Sequence, residues 1–140
     1  MIFTPEFEVA TCLLFDRNKK LLIYLRDDKP TISFPNHWDL FGGIMEPNET
    51  PEQALVREVK EELGIELPWF NKFREYESSE VEKPNRKHVF HSQINFIPEE
   101  LILNEGQKLL SISLEERSNY NFANILAQII DDFVKAGIEW

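Results

Sequence analysis

Apolar positions along the chain fall into short runs near both ends, with a mixed stretch and a glutamate-rich segment between them. The runs Phe7 to Phe15 and Leu21 to Leu25, rich in Val, Ile, Leu, Phe and Tyr, flank Asp16-Arg17-Asn18-Lys19-Lys20, the pattern of a β-hairpin. Residues 27 to 37, with two prolines and mixed polarity, read as a loop. A short strand from Trp38 to Phe41 is expected to end at Gly42-Gly43, a pair that permits a tight turn or a close backbone approach to a ligand. Thr50 as N-cap, Pro51 at the first helical position and Gln53 three residues after the cap predict a helix that stops at Gly64. Further strands are expected at Trp69 to Ser78 and Lys87 to Ile97, with a weaker one over Leu109 to Leu114. Phe122, Ile125, Leu126, Ile129, Ile130, Phe133 and Val134 recur at helical spacing and predict a final helix, ending near Gly137, with one core-facing side. Strands, helix, strands, helix is the order of an α/β fold, a mixed sheet sandwiched between helices, and neither repeat nor linker divides residues 1–140 into two domains.

Composition narrows the function. With 42% hydrophobic and 12% aromatic residues the chain has the apolar mass for a core. Its 25 acidic against 15 basic residues give a formal charge of −10, a field that repels phosphate backbones and argues against a nucleic acid polymer as partner. No apolar run approaches the ~18 residues of a membrane span and the N-terminal residues lack a signal-peptide pattern, so a reducing, cytoplasmic setting without membrane association is expected. The single cysteine, Cys12, sits in an apolar run and reads as a core thiol. His37, His88 and His91 show no metal-ligand spacing, and Trp38 reads as packing more readily than as a base-stacking platform.

Seven glutamates lie between Glu46 and Glu66 against only Arg57 and Lys60. At about 100° per residue, Leu55, Val56, Val59 and Leu63 share one arc of the helix while Glu58, Glu61 and Glu62 share the neighbouring one. Like charges at these spacings repel by a few tenths of a kcal/mol each, and a cation reverses the sign. Carboxylates without Cys or His form a hard oxygen set that suits Mg²⁺ or Mn²⁺ rather than zinc, although density alone equally fits a solvated acidic face.

The spacing is more telling. Gly43, Glu49, Arg57-Glu58-Val59, Glu61-Glu62 and Gly64-Ile65 match all nine defined positions of the Nudix box, G-x5-E-x7-R-E-U-x-E-E-x-G-U, over residues 43–65. The chain therefore resembles the Nudix hydrolases, small single-domain members in particular, and Trp38-Asp39-Leu40-Phe41-Gly42-Gly43 resembles the segment leading into their box, with Phe41 where they commonly have proline. The resemblance implies a Mg²⁺- or Mn²⁺-dependent pyrophosphohydrolase acting on a small nucleotide: a nucleoside triphosphate, oxidised forms such as 8-oxo-dGTP included, or a nucleotide sugar or other NDP-X. It implies metal ligation by Glu58, Glu61 and Glu62 with the Gly43 carbonyl as a further oxygen, one glutamate orienting or deprotonating water. Arg57 and Glu49 would tie the glycine loop to the helix. Outside the box, Arg26 resembles a phosphate-contacting arginine and Glu105, in the loop before Gly106, a further metal carboxylate. Homodimerisation is left open by the residues, and a nucleotide-sensing module without turnover is the alternative reading.

Overall fold

The computed structural model describes residues 2–140. Its sheet comprises β1 (Phe7–Phe15), β2 (Leu21–Leu25), β3 (Trp38–Asp39), β4 (Phe41–Ile44), β5 (Asn71–Ser78), β6 (Asn85–Gln93) and β7 (Lys108–Ile112), with helices α1 (Pro51–Leu63) and α2 (Leu126–Ala136). Along its main path the order is β3-β2-β1-β6-β5, while β4 pairs with β1 and β7 with β2. All pairings are antiparallel except β1 with β6, which run parallel from Phe7↔Asn85 to Phe15↔Gln93.

Alternation along β1 sorts two cores onto the two faces. Leu13 and Phe15 join Val89 beneath α2, where Leu126, Ile129, Ile130 and Phe133 close the layer. Ala10, Cys12 and Leu14 join Phe90 beneath α1, where Ala54, Leu55, Val59 and Leu63 close the other. The fold is thus α/β with a helix on each face, and Cys12 is fully buried. Trp140 completes the α2-side core: its ring lies 4.5 Å from that of Phe15, and its Nε1 donates to Gln93 Oε1 at 3.0 Å.

Helix α1 forms where its local signals place it. Thr50 Oγ1 accepts from Gln53 N, Gln53 Oε1 accepts from Thr50 N, and Gly64 terminates the helix at φ 70°. Several boundaries move, however. The final helix starts at Leu126, because Phe122 and Ala123 follow an extended path that bridges Trp38. The first two strands meet only at Phe15↔Leu21, and β2 takes its main partners from β7 and β3. Gly42-Gly43, read as permitting a tight turn or a close backbone approach, lies inside β4 opposite Thr11 and Ala10 of β1. Here glycine answers a close approach, since a Cβ on Gly42 would stand 2.0 Å from the Ala10 carbonyl oxygen, at a φ of 140° that side chains rarely adopt. Phe41 starts this strand fully buried, its ring 5.2 Å from Tyr24.

These contacts predict unequal sensitivities. Thr50→Ala is expected to cost about 1 kcal/mol, or roughly 4 °C in melting temperature. Gly42→Ala, which drives a methyl into backbone, is expected to lower it by more than about 10 °C. Thermal unfolding followed by circular dichroism measures both, and equal shifts would contradict the packing described at Gly42.

Candidate functional site

Helix α1 lies against β4 with its glutamates at three depths. Glu62 falls between Ala54 and Leu55 on the inner side and is 2% exposed, so it belongs to the packed face rather than to an outer carboxylate arc. The reason is a fixed partner: Gly42 N–H donates to Glu62 Oε1 at 3.0 Å, drawing the carboxylate under the strand. Its Oε2 is buried without a hydrogen-bond partner. Burial, the Glu105 charge, a contact with the Glu105 carboxyl and the more distant Glu58 push the Glu62 pKa up to about 10 against the pull of the Gly42 N–H.

Glu58 lies one turn away, and its carboxylate occupies the space a Gly43 side chain would need: a Cβ there would stand 2.5 Å from Glu58 Cδ. Burial raises its pKa, against Arg57. Glu61 points outward, its side chain 58% exposed, within 3.4 Å of Arg57. Glu105 is carried by the 103–107 loop, which docks on the end of α1 through Asn104 N–H to Glu62 O at 2.9 Å and Asn104 Nδ2 to Glu61 O at 3.3 Å. Gly106 lets this loop touch β2, since a Cβ there would come within 2.5 Å of Leu25 O.

Arg57 organises the outer side. Its Nε and Nη2 grip Glu49 at 2.7 and 2.9 Å, Nη1 donates to Glu58 at 2.8 Å, and Nη2 also reaches Ile44 O at 3.3 Å. The bidentate pair holds Glu49 down at about 2 and Arg57 well above its ordinary pKa. Among the described residues no three His, Cys, Asp or Glu side chains converge on one point; Arg57 holds Glu58 and Glu61 to its own side instead. The oxygen set still fits a hard divalent cation, because the partnerless Glu62 Oε2, the adjoining Glu105 carboxyl and Glu58 offer only oxygen donors around Gly43.

A cleft of about 670 Å³ opens from this point, lined by Gly42, Gly43, Glu58 and Glu105 at one end and by Glu82, Lys87 and Asn124 at the other. Arg26 lines it too, but its guanidinium is engaged: Nη1 donates to Asp39 Oδ2 at 2.8 Å and Nε to Ser33 O at 2.9 Å. Tyr24 O–H donates to the same Asp39 oxygen at 3.3 Å, and Leu40 N–H to Oδ1 at 2.7 Å. Burial raises the Asp39 and Tyr24 pKa values. Asp39, Tyr24, Glu82, Lys87 and Asn124 escaped the motif reading. Lys87 alone left a signal, a lysine on the core-facing alternation of a strand that continues through Val89. Trp38 packs edge-on against Tyr120 at 5.4 Å rather than into the cleft. His37 Nδ1 lies on Pro35 O, His88 between Glu8 and Glu75, and His91 among Trp69, Phe133 and Trp140.

The NUDIX domain family model matches residues 6–132. A CTP pyrophosphohydrolase of Escherichia coli is 33% identical over 100 residues, 69% of this chain and 70% of that protein. An 8-oxo-dGTP diphosphatase of Proteus vulgaris is 36% identical over 67 residues, 48% of this chain and only 58% of its own length. Among solved structures, a MutT protein from Methanosarcina mazei superposes with a TM-score of 0.81 at 20% identity, covering 99% of this chain and all of that one.

The raised Glu62 pKa has a definite sign. Between the ordinary carboxylate value near 4.5 and about 10, the folded protein holds a proton that the unfolded chain releases. This stabilisation is full below pH 4.5 and disappears as pH rises through 10. Metal-free Glu62→Gln, which carries no such ionisation, is expected to melt within about 1 °C of the parent at pH 4 and at least about 4 °C higher at pH 8. Calorimetry in EDTA at both pH values measures this, and a variant less stable at pH 8 would contradict it.

Proposed function

The chain belongs to the NUDIX family, and on that premise we propose that it is a divalent-cation-dependent pyrophosphohydrolase of small nucleotides. It opens the diphosphate linkage of a nucleoside triphosphate, or of an NDP-X such as a nucleotide sugar, to a nucleoside monophosphate plus pyrophosphate or phosphorylated X. The observation that carries this reading is the buried, partnerless Glu62 Oε2 beside Glu105 and Glu58, at the end of a cleft of nucleotide size. The two relatives named for CTP and 8-oxo-dGTP hydrolysis support the substrate class.

Glu58, Glu62, Glu105 and the Gly43 carbonyl would hold Mg²⁺ or Mn²⁺, with Glu61 at the exposed margin; the bound ion neutralises the diphosphate and lowers the pKa of the attacking water. Glu62 would hold the ion as a carboxylate, with the Gly42 N–H keeping that group oriented. Arg57, anchored by both oxygens of Glu49, does not depend on its Glu58 bond to stay in place, so Glu58 would be available to the ion. Arg26 retains N–H groups beyond those given to Asp39 and Ser33, and these suit an anionic phosphate oxygen. Tyr24 lines the cleft beside it, backed by the buried ring of Phe41.

Hydrolysis is expected to require Mg²⁺ or Mn²⁺ and to cease in EDTA. Glu58→Gln and Glu62→Gln should each lower kcat by at least ~10²-fold with the fold retained, and Arg26→Ala should act chiefly on KM. Product identification by chromatography over a nucleotide panel is the test. Full turnover in EDTA, or inorganic phosphate plus a nucleoside diphosphate as the products from a triphosphate, would overturn the proposal.

A further inference from the structure

Three side chains from separate parts of the sequence meet at the end of the cleft remote from the glutamates. Glu82 lies between Lys87 and Asn124: its Oε1 is 3.8 Å from Lys87 Nζ, and its Oε2 accepts from Asn124 Nδ2. Neighbouring bonds fix which atoms donate. Asn124 Oδ1 accepts from Ile125 N–H at 2.9 Å, which turns its amide nitrogen to Glu82, on a backbone held at φ 55°. Asn85 gives its amide N–H groups to Lys83 O at 2.8 Å and Ser78 O at 3.4 Å, so its oxygen faces Lys87 Nζ and accepts from it. The ammonium has three protons, the Asn124 amide two, and each Glu82 oxygen accepts twice. All three groups line the cleft and retain hydrogen-bonding capacity. They present donor, acceptor, donor, with no net charge to compete for phosphate.

The position also suits a nucleotide. Lys87 pairs with Val9 of β1, and Thr11 of β1 pairs with Gly42 of β4. Two strand spacings and a two-residue offset then separate Lys87 from Gly42 by roughly 12 Å. A ribose and two phosphates bridge that span. Phe7, at the same end of β1, and Leu126, two residues after Asn124, supply apolar walls for a planar ring.

We propose that Glu82, Lys87 and Asn124 form a base-reading subsite for uracil or thymine nucleotides. The Watson–Crick edge of uracil and thymine runs carbonyl, N–H, carbonyl and complements all three groups. Cytosine puts an amino group and a bare ring nitrogen in the first two places, guanine puts a second donor in the third, and adenine has no carbonyl. This deepens the proposed hydrolysis and rests on nucleotide binding in that cleft.

The experiment is equilibrium titration of the chain with dUMP and dCMP, neither of which has a diphosphate to cleave, together with kcat/KM for dUTP, dTTP and dCTP with Mg²⁺. Tighter binding of dUMP by at least ~10-fold, with the same preference in kcat/KM, is expected, because the wrong edge sets an amino group against the buried Lys87 ammonium and a bare ring nitrogen against the Glu82 carboxylate. Glu82→Gln and Asn124→Ala, each checked by melting temperature, should reduce the preference below ~3-fold; if one unfolds, the other decides. A parent preference under ~10-fold, a preference for dCMP, or a preference retained in a folded variant would overturn the inference. If no triphosphate is cleaved but dUMP remains preferred, the triphosphate part of the hydrolytic reading fails and the base-reading subsite stands.

Discussion

The hydrogen bond from Gly42 N–H to Glu62 joins the two halves of the site and dictates much around it. A carboxylate can enter the packed face of α1 only if something inside meets it, and the strand backbone does so at one oxygen. The other oxygen is left alone. For the bond to form, β4 must press against both β1 and α1, which is why a Cβ at Gly42 would strike Ala10 and one at Gly43 would strike Glu58. The glycine pair, the buried glutamate and the depth of the helix are a single steric and electrostatic solution.

Arginines line or flank the cleft, yet both carry their charge in ion pairs. Arg57 is neutralised by Glu49 and Glu58 and Arg26 by Asp39, so neither brings an unbalanced cation to a polyphosphate. Their geometry, with Glu49 and Asp39 as counter-ions, makes them rigid donors instead.

Legibility in the sequence followed range. The capping box at Thr50 and Gln53 and the stop at Gly64 are local, and they stand where the residues place them. The sheet and its two helical layers followed from alternation and helical spacing, and the spacing of the box picked out the residues that surround Gly43. The depth of Glu62 did not follow, because its charge assigned it to the polar arc although the wheel sets it about 20° from Leu55, and no local signal registers a strand N–H waiting beneath the helix. Arg26 was legible as a cleft residue but not as one already held by Asp39, a residue on the adjacent strand. Glu82, Lys87 and Asn124 come together only through the pairing of β1 with β6 and the path of residues 122–125, so no window of sequence contains them.

The parallel pairing of β1 with β6 bears on how the molecule forms. Register partners Phe7↔Asn85 and Phe15↔Gln93 lie far apart in sequence, in contrast to the β5–β6 hairpin and the self-capped helix α1. Such pairing must close a long loop before it returns any contact energy, so it slows folding relative to the local elements. Helix and hairpin are the units that can take shape on short range alone, whereas the cleft needs β1 and β6 side by side. Until that closure is made, a nascent chain can carry most of its secondary structure and still have no groove in which to hold a nucleotide.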